Sequence, residues 1–293
     1  MADDGRAARA AEAVSRLTGE IWSRRRLDLV PVLYAPDHIR HEPGGDDGVG
    51  VEVARAAAAR VHARFPGVPQ DEHILLAEGD TVFRRWSFTG AYHAPDGTVS
   101  PRPVMLDAMT IYRMRDGLLA ETWTTADWRG LGLHLAGEPV AADRRTVRRV
   151  LAAPGDDPAV RETALAAARA LAAGDTGSVA AWFAPDCRDR SSHGTAAAGH
   201  DGLRAWMAAR RAAFPALAVE IEDAVSVAAG EWAAVAWTCS GRQDGPVAGY
   251  PATGRVAAWG GQALFRVAGG RVAEFWRIED EAGMLRRLGL TAG

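Results

Sequence analysis

In each half of the chain an aspartate follows shortly after the last predicted strand, Asp127 in the first half and Asp280 in the second. A carboxyl group that faces an apolar cavity has its pKa raised by desolvation, so it can exchange protons with a carbon acid or an enol near neutral pH. An aspartate directly after a strand can also cap the helix or turn that follows it. Both interpretations stay open for the two aspartates.

His41 is the candidate proton shuttle, because an imidazole changes its charge close to neutral pH. It follows His38 in the segment 37–42 and could also be a surface or capping histidine. The two histidines do not form a metal site. Their pattern, His-x-x-His-Glu, differs from the helical His-Glu-x-x-His motif, and in a strand positions 38 and 41 face opposite sides. We therefore predict that no metal is bound.

Other polar and aromatic side chains could bind a ligand or belong to the core. Asp107 lies in the middle of a predicted strand, where a carboxylate needs either a partner or a pocket. Arg84, Arg85 or Arg113 could pair with it. Tryptophans pack in cores more often than they form ligand platforms, and both roles stay open for Trp86, Trp123, Trp237 and Trp276.

The candidates occur in two sets because the chain repeats itself. Leu33-Tyr34-Ala35-Pro36-Asp37 returns as Trp182-Phe183-Ala184-Pro185-Asp186. The offset is 149 residues at Pro36 and 153 at Asp127, so small insertions accumulate along a collinear repeat. A period near half the chain is too long for a solenoid repeat and indicates a duplicated domain.

Each copy has three predicted helices followed by a run of strands, which indicates an α+β fold rather than alternating βαβ units. The helices are predicted at 6–22, 27–34, 51–64, 160–171, 176–183 and 202–213. The strands are predicted at 72–77, 81–90, 104–113, 118–124, 218–228, 232–241, 255–267 and 271–278. The segment between the copies includes a basic helical stretch, 143–151.

The composition, 48% apolar and 24% charged residues, is typical of a soluble globular protein. The net charge of −3 and the scattered arginines predict no nucleic-acid partner. No apolar run is long enough to span a membrane, and the N-terminus lacks the features of a signal peptide. Cys187 and Cys239 are not repeat equivalents, so we expect no disulfide framework and a cytoplasmic setting. The chain has no lysine and no asparagine, which excludes lysine Schiff bases and P-loop phosphate sites.

The order and spacing of several short motifs resemble the SnoaL-like branch of the nuclear transport factor 2-like superfamily. In both copies a helix precedes Ala-Pro-Asp, and Phe-Pro stands before the first long strand. The first copy adds Gly-Asp-x-Val, Arg-Trp-x-x-x-Gly and Gly-x-x-x-Glu-x-Trp with a following Asp. The second contains Pro251-Ala252-Thr253-Gly254-Arg255, similar to the Pro-Thr-Gly loop of that branch.

The resemblance implies two tandem cone-shaped domains, each a curved antiparallel sheet wrapped around helices with an internal pocket. We place the first domain at 1–138, a linker at 139–157 and the second domain at 158–293. We expect the two domains to pack on each other as a pseudo-dimer, with a homodimer as a further option.

The resemblance also implies roles for particular residues. Asp127 and Asp280 match the general acid/base of polyketide cyclases of this branch, and His41 matches a pocket histidine. In the second copy Arg190 replaces that histidine. The predicted substrate-binding set is Trp86, Arg85, His93, Asp107, Trp123, Trp237, Trp276 and His193.

Function follows from the resemblance as an expectation: a cofactor-independent cyclase or isomerase of natural-product biosynthesis, acting on an apolar or polycyclic small molecule. One alternative is epoxide opening of the polyether type, for which Glu72 and Glu220 are the candidate acids, while Asp37 and Asp186 look like turn residues. The other is a non-catalytic binding protein. The first copy keeps more ionisable candidates, so we expect catalysis there and a binding or structural role for the second.

Overall fold

The computed structural model describes residues 4–137, 149–152, 158–191, 199–222 and 226–290, which form two α+β domains with the same layout. In each domain, helices pack on one face of a curved, mainly antiparallel sheet, and a short helix follows the last strand. We call the face that carries the helices the inner face. The predicted fold class is confirmed.

The first domain is built on a sheet with the strand order β2-β1-β6-β5-β4-β3-β7. Its helices are α1 (Asp4–Leu17), α2 (Val30–Leu33), α3 (Val51–Arg64) and α4 (Trp128–Leu135), with a π-helical turn at Thr18–Ser23. Its strands are β1 (Tyr34–His41), β2 (Gly48–Val49), β3 (Gln70–Glu78), β4 (Thr81–Gly90), β5 (Val104–Arg115), β6 (Leu118–Ala126) and β7 (Arg149–Ala152). Strand β1 pairs in parallel with β6, whereas β3 to β6 are antiparallel neighbours.

The second domain repeats this arrangement with the strand order β10-β11-β12-β13-β8. Its helices are α5 (Pro158–Ala173), α6 (Val179–Trp182), α7 (Gly199–Ala213) and α8 (Glu281–Arg287). Its strands are β8 (Phe183–Asp189), β9 (Ala218–Ile221), β10 (Val227–Ala229), β11 (Trp232–Arg242), β12 (Val256–Ala268) and β13 (Arg271–Glu279). The single strand predicted over 218–228 is two strands, β9 and β10, which both pair with β11.

The structure corrects the predicted helix over 143–151. Residues 149–151 belong to β7, which pairs in parallel with β3 from Ile74 to Ala77, while 143–148 lie outside the described residues. An edge strand such as β3 presents unpaired backbone N–H and C=O groups, and pairing with β7 satisfies them. Residues 149–152, inside the predicted linker 139–157, thus form the edge strand of the first sheet.

The two domains pack on each other through the outer faces of their sheets. One apolar cluster joins Phe83 and Ile111 of the first domain to Trp232, Leu264 and Trp276 of the second. Gln262 crosses this interface, and its side-chain amide donates to the carbonyl oxygen of Trp123 at 3.0 Å and to Thr125 Oγ1 at 3.2 Å. In the part of the chain that the structure describes, no helix is both long and apolar enough to cross a membrane.

Candidate functional site

The first domain encloses a cavity of about 420 Å³ between its helices and the inner face of its sheet. The wall is largely aromatic and aliphatic with a few hydroxyl groups, and His38 is its one histidine among the described residues. The other uncharged wall residues are Trp22, Tyr34, Pro43, Ala54, Ala57, Val61, Trp86, Leu106, Thr110, Tyr112, Thr122, Thr124, Ala126, Trp128 and Ala282. A second group, which we call the arginine rim, consists of Arg40, Glu42, Arg60, Arg64, Asp280, Arg286 and Arg287.

Strand alternation decides which side chains reach the cavity. On β4, Trp86 points inward and its indole N–H donates to Thr110 Oγ1 at 3.0 Å. The neighbouring Arg85 therefore points to the outer face, because successive side chains of a strand lie on opposite faces. The Arg-Trp pair of the sequence motif is split between the cavity and the domain interface.

His38 is the titratable group that the cavity wall buries most completely, with 1% of its surface exposed. Its ring packs edge-on against Tyr34, with 4.9 Å between ring centres, and its Nε2 lies 3.4 Å from Thr122 Oγ1. Its Nδ1 makes no hydrogen bond of good geometry within the described structure. A buried polar atom without a partner costs free energy.

The environment of His38 holds the imidazole neutral. Burial lowers its pKa to about 4, although the nearby backbone carbonyls of Leu119 and Ala120 favour the protonated form. The positive charge of Arg40 acts in the same direction as burial. At neutral pH the ring therefore carries a lone pair that can accept a proton.

Two tyrosines add hydroxyl groups to the same wall. Burial raises the pKa of both Tyr34 and Tyr112, so each phenol stays protonated at neutral pH and can donate a hydrogen bond. Thr110 and Thr124 face each other with 3.2 Å between their Oγ1 atoms. The cavity thus combines an apolar volume with hydroxyl donors and one neutral imidazole.

His41, the histidine that we predicted for the pocket, lies on the other face of β1. Its ring stacks on Trp123 with 4.2 Å between ring centres, its Nδ1 is 2.8 Å from Asp47 Oδ2, and its Nε2 is 3.1 Å from Glu121 Oε2. The second domain has an equivalent contact between the repeat positions of His41 and Glu121, where Arg190 Nε lies 3.2 Å from Glu274 Oε2. Among the described residues, no three His, Cys, Asp or Glu side chains are arranged to hold a metal ion.

Asp127 and Asp280 both cap helices, and each lines the cavity of the other domain. Asp127 Oδ1 accepts from the Gly130 N–H at 3.0 Å, and Asp280 Oδ1 accepts from the Gly283 N–H at 2.9 Å. Asp280 belongs to the rim of the first cavity, and Asp127 lines the cavity of the second domain. Burial raises the pKa of Asp280, although the Gly283 N–H and Arg287, 3.2 Å away, favour its ionised form. The capping role is therefore observed, and each of the two side chains lines the cavity of the other domain.

The remaining predicted residues lie mostly at the domain interface. Arg85 and Asp107 form a buried ion pair of 2.7 Å, which confirms the pairing that the sequence suggested for Asp107. The Arg85 guanidinium also lies 5.7 Å from the centre of the Trp276 ring. Trp123 and Trp276 both belong to the interface cluster, on the opposite face of their sheets from the cavities.

Three further predicted positions have other surroundings. Trp237 is part of the core of the second domain, and the backbone N–H of His93 donates to the Arg64 carbonyl at 2.8 Å beside the first cavity. His193 lies outside the described residues. Of the eight predicted substrate-binding residues, Trp86 is the one whose side chain lines the first cavity among those described.

The second domain has a smaller cavity of about 230 Å³. Trp206 on α7 stands at the repeat position of Ala57 on α3 and fills the corresponding space, and the Arg277 guanidinium lies 3.8 Å from the centre of its ring. Glu279 accepts from Arg210 at 2.7 Å and from the Trp259 indole at 2.8 Å. Burial opposes the ionisation of Glu279, but the charges of Arg210 and Arg277 outweigh it and lower its pKa.

The polar wall of the first cavity has no counterpart in the second domain. The repeat positions of Tyr34, His38, Tyr112 and Thr122 are occupied by Phe183, Cys187, Phe265 and Phe275. All four replacements are buried in the core of the second domain. Burial raises the pKa of the Cys187 thiol to about 11, so this side chain is an apolar group at neutral pH. The imidazole and the two phenol groups of the first cavity are therefore missing from the second.

We expect the His38 imidazole to titrate at about pH 4 rather than 6.5. Because the folded-state pKa lies below the unfolded one, the unfolded chain takes up this proton first as the pH falls. The contribution of His38 to the free energy of unfolding is therefore fully present above pH 6.5. It declines by about 3 kcal/mol as the pH falls from about 6.5 to 4. NMR titration of the histidine ring signals measures the pKa directly, with His38→Gln to assign the resonance. A His38 pKa of 6 or higher would contradict the buried, neutral state.

Comparisons with known proteins agree with the repeated fold. The family model for SnoaL-like polyketide cyclases matches residues 12–134 and 161–288. TsrD of Streptomyces laurentii is 28% identical over 47% of this chain and 99% of its own, with a TM-score of 0.41. IdmH of Streptomyces antibioticus is 25% identical over 44% of this chain and 98% of its own, with a TM-score of 0.38. A SnoaL-like polyketide cyclase of Agrobacterium tumefaciens is 17% identical over 44% and 98%, with a TM-score of 0.38. No curated protein matches the chain.

Proposed function

Because the chain belongs to the SnoaL-like polyketide cyclase family, we propose that its first domain catalyses a cyclisation or isomerisation of an apolar or polycyclic small molecule without a cofactor. The observation that carries this proposal is His38. It is a buried, neutral imidazole in the wall of the larger cavity, and one of its nitrogens makes no good hydrogen bond in the described structure. A cavity of this kind, mostly apolar with a few polar groups, is typical of small-molecule sites.

His38 acts as the general base in this proposal. Its lone pair takes a proton from a carbon next to a carbonyl group, and the electron pair of the C–H bond moves onto the carbonyl oxygen to form an enolate. The hydroxyl groups of Tyr34, Tyr112 and Thr122 are the donors available to stabilise that oxygen. In an isomerisation, the enolate is reprotonated by the imidazolium at a different carbon. In a cyclisation, the enolate carbon adds to a second carbonyl carbon of the substrate, the π bond of that carbonyl opens, and the resulting alkoxide takes the proton from the imidazolium. Either route returns His38 to its neutral state.

The carboxyl groups keep a supporting role. Asp280 reaches the first cavity from the second domain, and its raised pKa suits a group that exchanges protons with a substrate at the rim. Asp127 is the corresponding group for the second cavity. The epoxide-opening alternative gains less support, because Glu72 is held by Arg84 at 2.7 Å and Glu220 is exposed on β9.

We propose that the second domain supports the first rather than catalysing the reaction. Its cavity has lost the imidazole and the tyrosines and is narrowed by Trp206. It supplies Asp280, Arg286 and Arg287 to the first cavity through α8 and the residue before it. A structural role of this kind accounts for the retention of a second copy that lacks the polar wall.

Exchanging the two residues at the equivalent helix position tests which domain is active. Ala57→Trp places in the first cavity the side chain that narrows the second, so we expect turnover to fall by at least about 100-fold because the substrate is excluded. Trp206→Ala enlarges the second cavity and should leave turnover within about 3-fold of the parent protein. Turnover is measured on the intermediate that accumulates when the protein is removed from its producing strain. Loss of turnover in Trp206→Ala alone would place the reaction in the second domain.

A further inference from the structure

The arginine rim gives the entrance of the first cavity a positive charge. It contains five arginines against Glu42 and Asp280, a balance of +3, although the whole chain carries −3. Arg40 pairs with Glu42 at 2.5 Å, and Arg287 pairs with Asp280 at 3.2 Å. The three arginines left over, for which no carboxylate partner is found among the described residues, are Arg60, Arg64 and Arg286.

This charge is a property of the first cavity alone and not of the repeated fold. The second cavity is lined by Arg210 and Arg277 and by the three carboxylates of Asp127, Glu279 and Glu281, a balance of −1. At the repeat positions of Arg60 and Arg64 the second domain has Ala209 and Ala213. The two cavities thus differ in the sign of their lining charge as well as in their volume.

We propose that the substrate of the first cavity is an apolar ring system that carries one anionic group, and that Arg60, Arg64 and Arg286 bind this group at the entrance. The inference rests on the proposed function, because it concerns the same cavity. Guanidinium groups bind carboxylates and phosphates through two parallel hydrogen bonds. None of these three side chains forms an ion pair with a carboxylate of the described residues, although the charge of Arg286 favours the ionised form of Asp280. The rings would lie against Trp22, Trp86 and Tyr34, with the reacting carbon near His38.

Because it includes Arg286, the proposed anion site is formed by residues of both domains. Arg60 and Arg64 lie on α3 of the first domain, whereas Arg286 lies in the last turn of α8 of the second, the helix that Asp280 caps. The interface cluster holds the two domains together, so α8 is fixed against the first cavity. The anion site therefore depends on the position of the second domain.

Binding of a matched acid and ester tests the inference without turnover. Anthracene-2-carboxylate and its methyl ester share the ring system and differ in the negative charge. Energy transfer from tryptophan to anthracene reports their binding. At low salt we expect the acid to bind at least about 10-fold more tightly than the ester, and we expect most of that preference to disappear at about 0.5 M salt. Equal affinity of the acid and the ester at low salt would overturn the inference.

Single substitutions assign the preference to the rim. We expect each of three variants to lower the affinity for the acid by about 3- to 10-fold and to leave the affinity for the ester unchanged: Arg60→Gln, Arg64→Gln and Arg286→Gln. Arg16→Gln, at an exposed position of α1, is the matched control and should change neither. Ala57→Trp should block both probes, which places them in the cavity. If the three rim variants bind the acid as tightly as the parent protein, the assignment to these arginines is wrong.

A third probe separates the two sources of a natural anion. Anthracen-2-yl phosphate should bind more tightly than the carboxylate if the substrate carries a phosphate, and no more tightly if it is a carboxylic acid. Failure of the anion inference is distinguishable from failure of the proposed function. In the first case the ester binds as well as the acid while His38→Gln still abolishes turnover, and in the second the acid is preferred but turnover survives that substitution.

Discussion

Asp107→Ala is expected to lower the free energy of unfolding by about 3–5 kcal/mol, because it leaves the Arg85 guanidinium buried without its partner. Both side chains of the pair are almost fully buried, and the N–O distance is 2.7 Å. Arg85 also lies over Trp276, so the uncompensated charge sits at the contact between the domains. Urea denaturation followed by circular dichroism measures the loss, and tryptophan fluorescence reports whether the interface opens first.

Two further variants separate the buried charge from the loss of a contact. Asp37→Ala removes the carboxylate from an exposed ion pair with Arg115 and should cost less than about 1 kcal/mol. The double variant Arg85→Met with Asp107→Leu removes both charges and should recover most of the stability lost in Asp107→Ala. If the double variant is as unstable as the single one, the loss comes from packing and not from the unpaired arginine.

Most of the fold could be predicted from the sequence because local signals and the repeat agree. Helix α3 has its predicted bounds. Gly50, with a φ of 94°, is non-helical and precedes its first residue, and Pro66 disfavours helical geometry at Phe65. Strand β4 also has its predicted bounds, because the Gly79-Asp80 turn begins it. The repeat then supplied a second, independent copy of each signal.

Side-chain direction could not be predicted, because irregular pairing changes the alternation within a strand. On β6, Leu119 packs in the inner core while Thr122 and Thr124 line the cavity, so odd and even positions exchange faces between them. The pairing of β5 with β6 shifts its register between Arg113 and Met114, opposite this point. A bulge of this kind sends Trp123 to the outer face, and the sequence carries no clear mark of it.

Contacts between the two domains could not be predicted from the sequence either. The packing of the outer sheet faces brings Asp280 of the second domain to the rim of the first cavity, which no sequence signal indicated. The apolar residues that form the interface could equally have belonged to two separate cores. Only the three-dimensional arrangement shows that a residue of one repeat completes the cavity of the other.

His38 is the candidate base that the sequence reasoning missed. Positions 38 and 41 were expected to face opposite sides of a strand, and they do. Tyr34 begins the same strand and also lines the cavity, but the pairing of β1 with β6 shifts its register between Tyr34 and Ile39, so counting from Tyr34 does not by itself assign a face to position 38. The family resemblance pointed to His41 instead.

His38→Gln is expected to reduce kcat by about 10²- to 10⁴-fold while KM changes little, because glutamine fills a similar space but cannot accept a proton at neutral pH. The pKa of His38 is about 4, so in the parent protein kcat/KM should be constant above about pH 5 and fall as the pH drops through 4 and the base is protonated. Turnover is measured on the same accumulated intermediate, across this pH range.

Two controls decide whether His38 is the base. Cys187→Ser changes the repeat equivalent of His38 in the second domain and should leave turnover within about 3-fold of the parent protein. His41→Gln should also retain turnover, because that ring stacks on Trp123 at the outer face and pairs with Asp47 and Glu121. If His41→Gln is inactive and His38→Gln is not, the histidine suggested by the sequence motif is the catalytic one. The buried imidazole would then serve only the shape of the cavity.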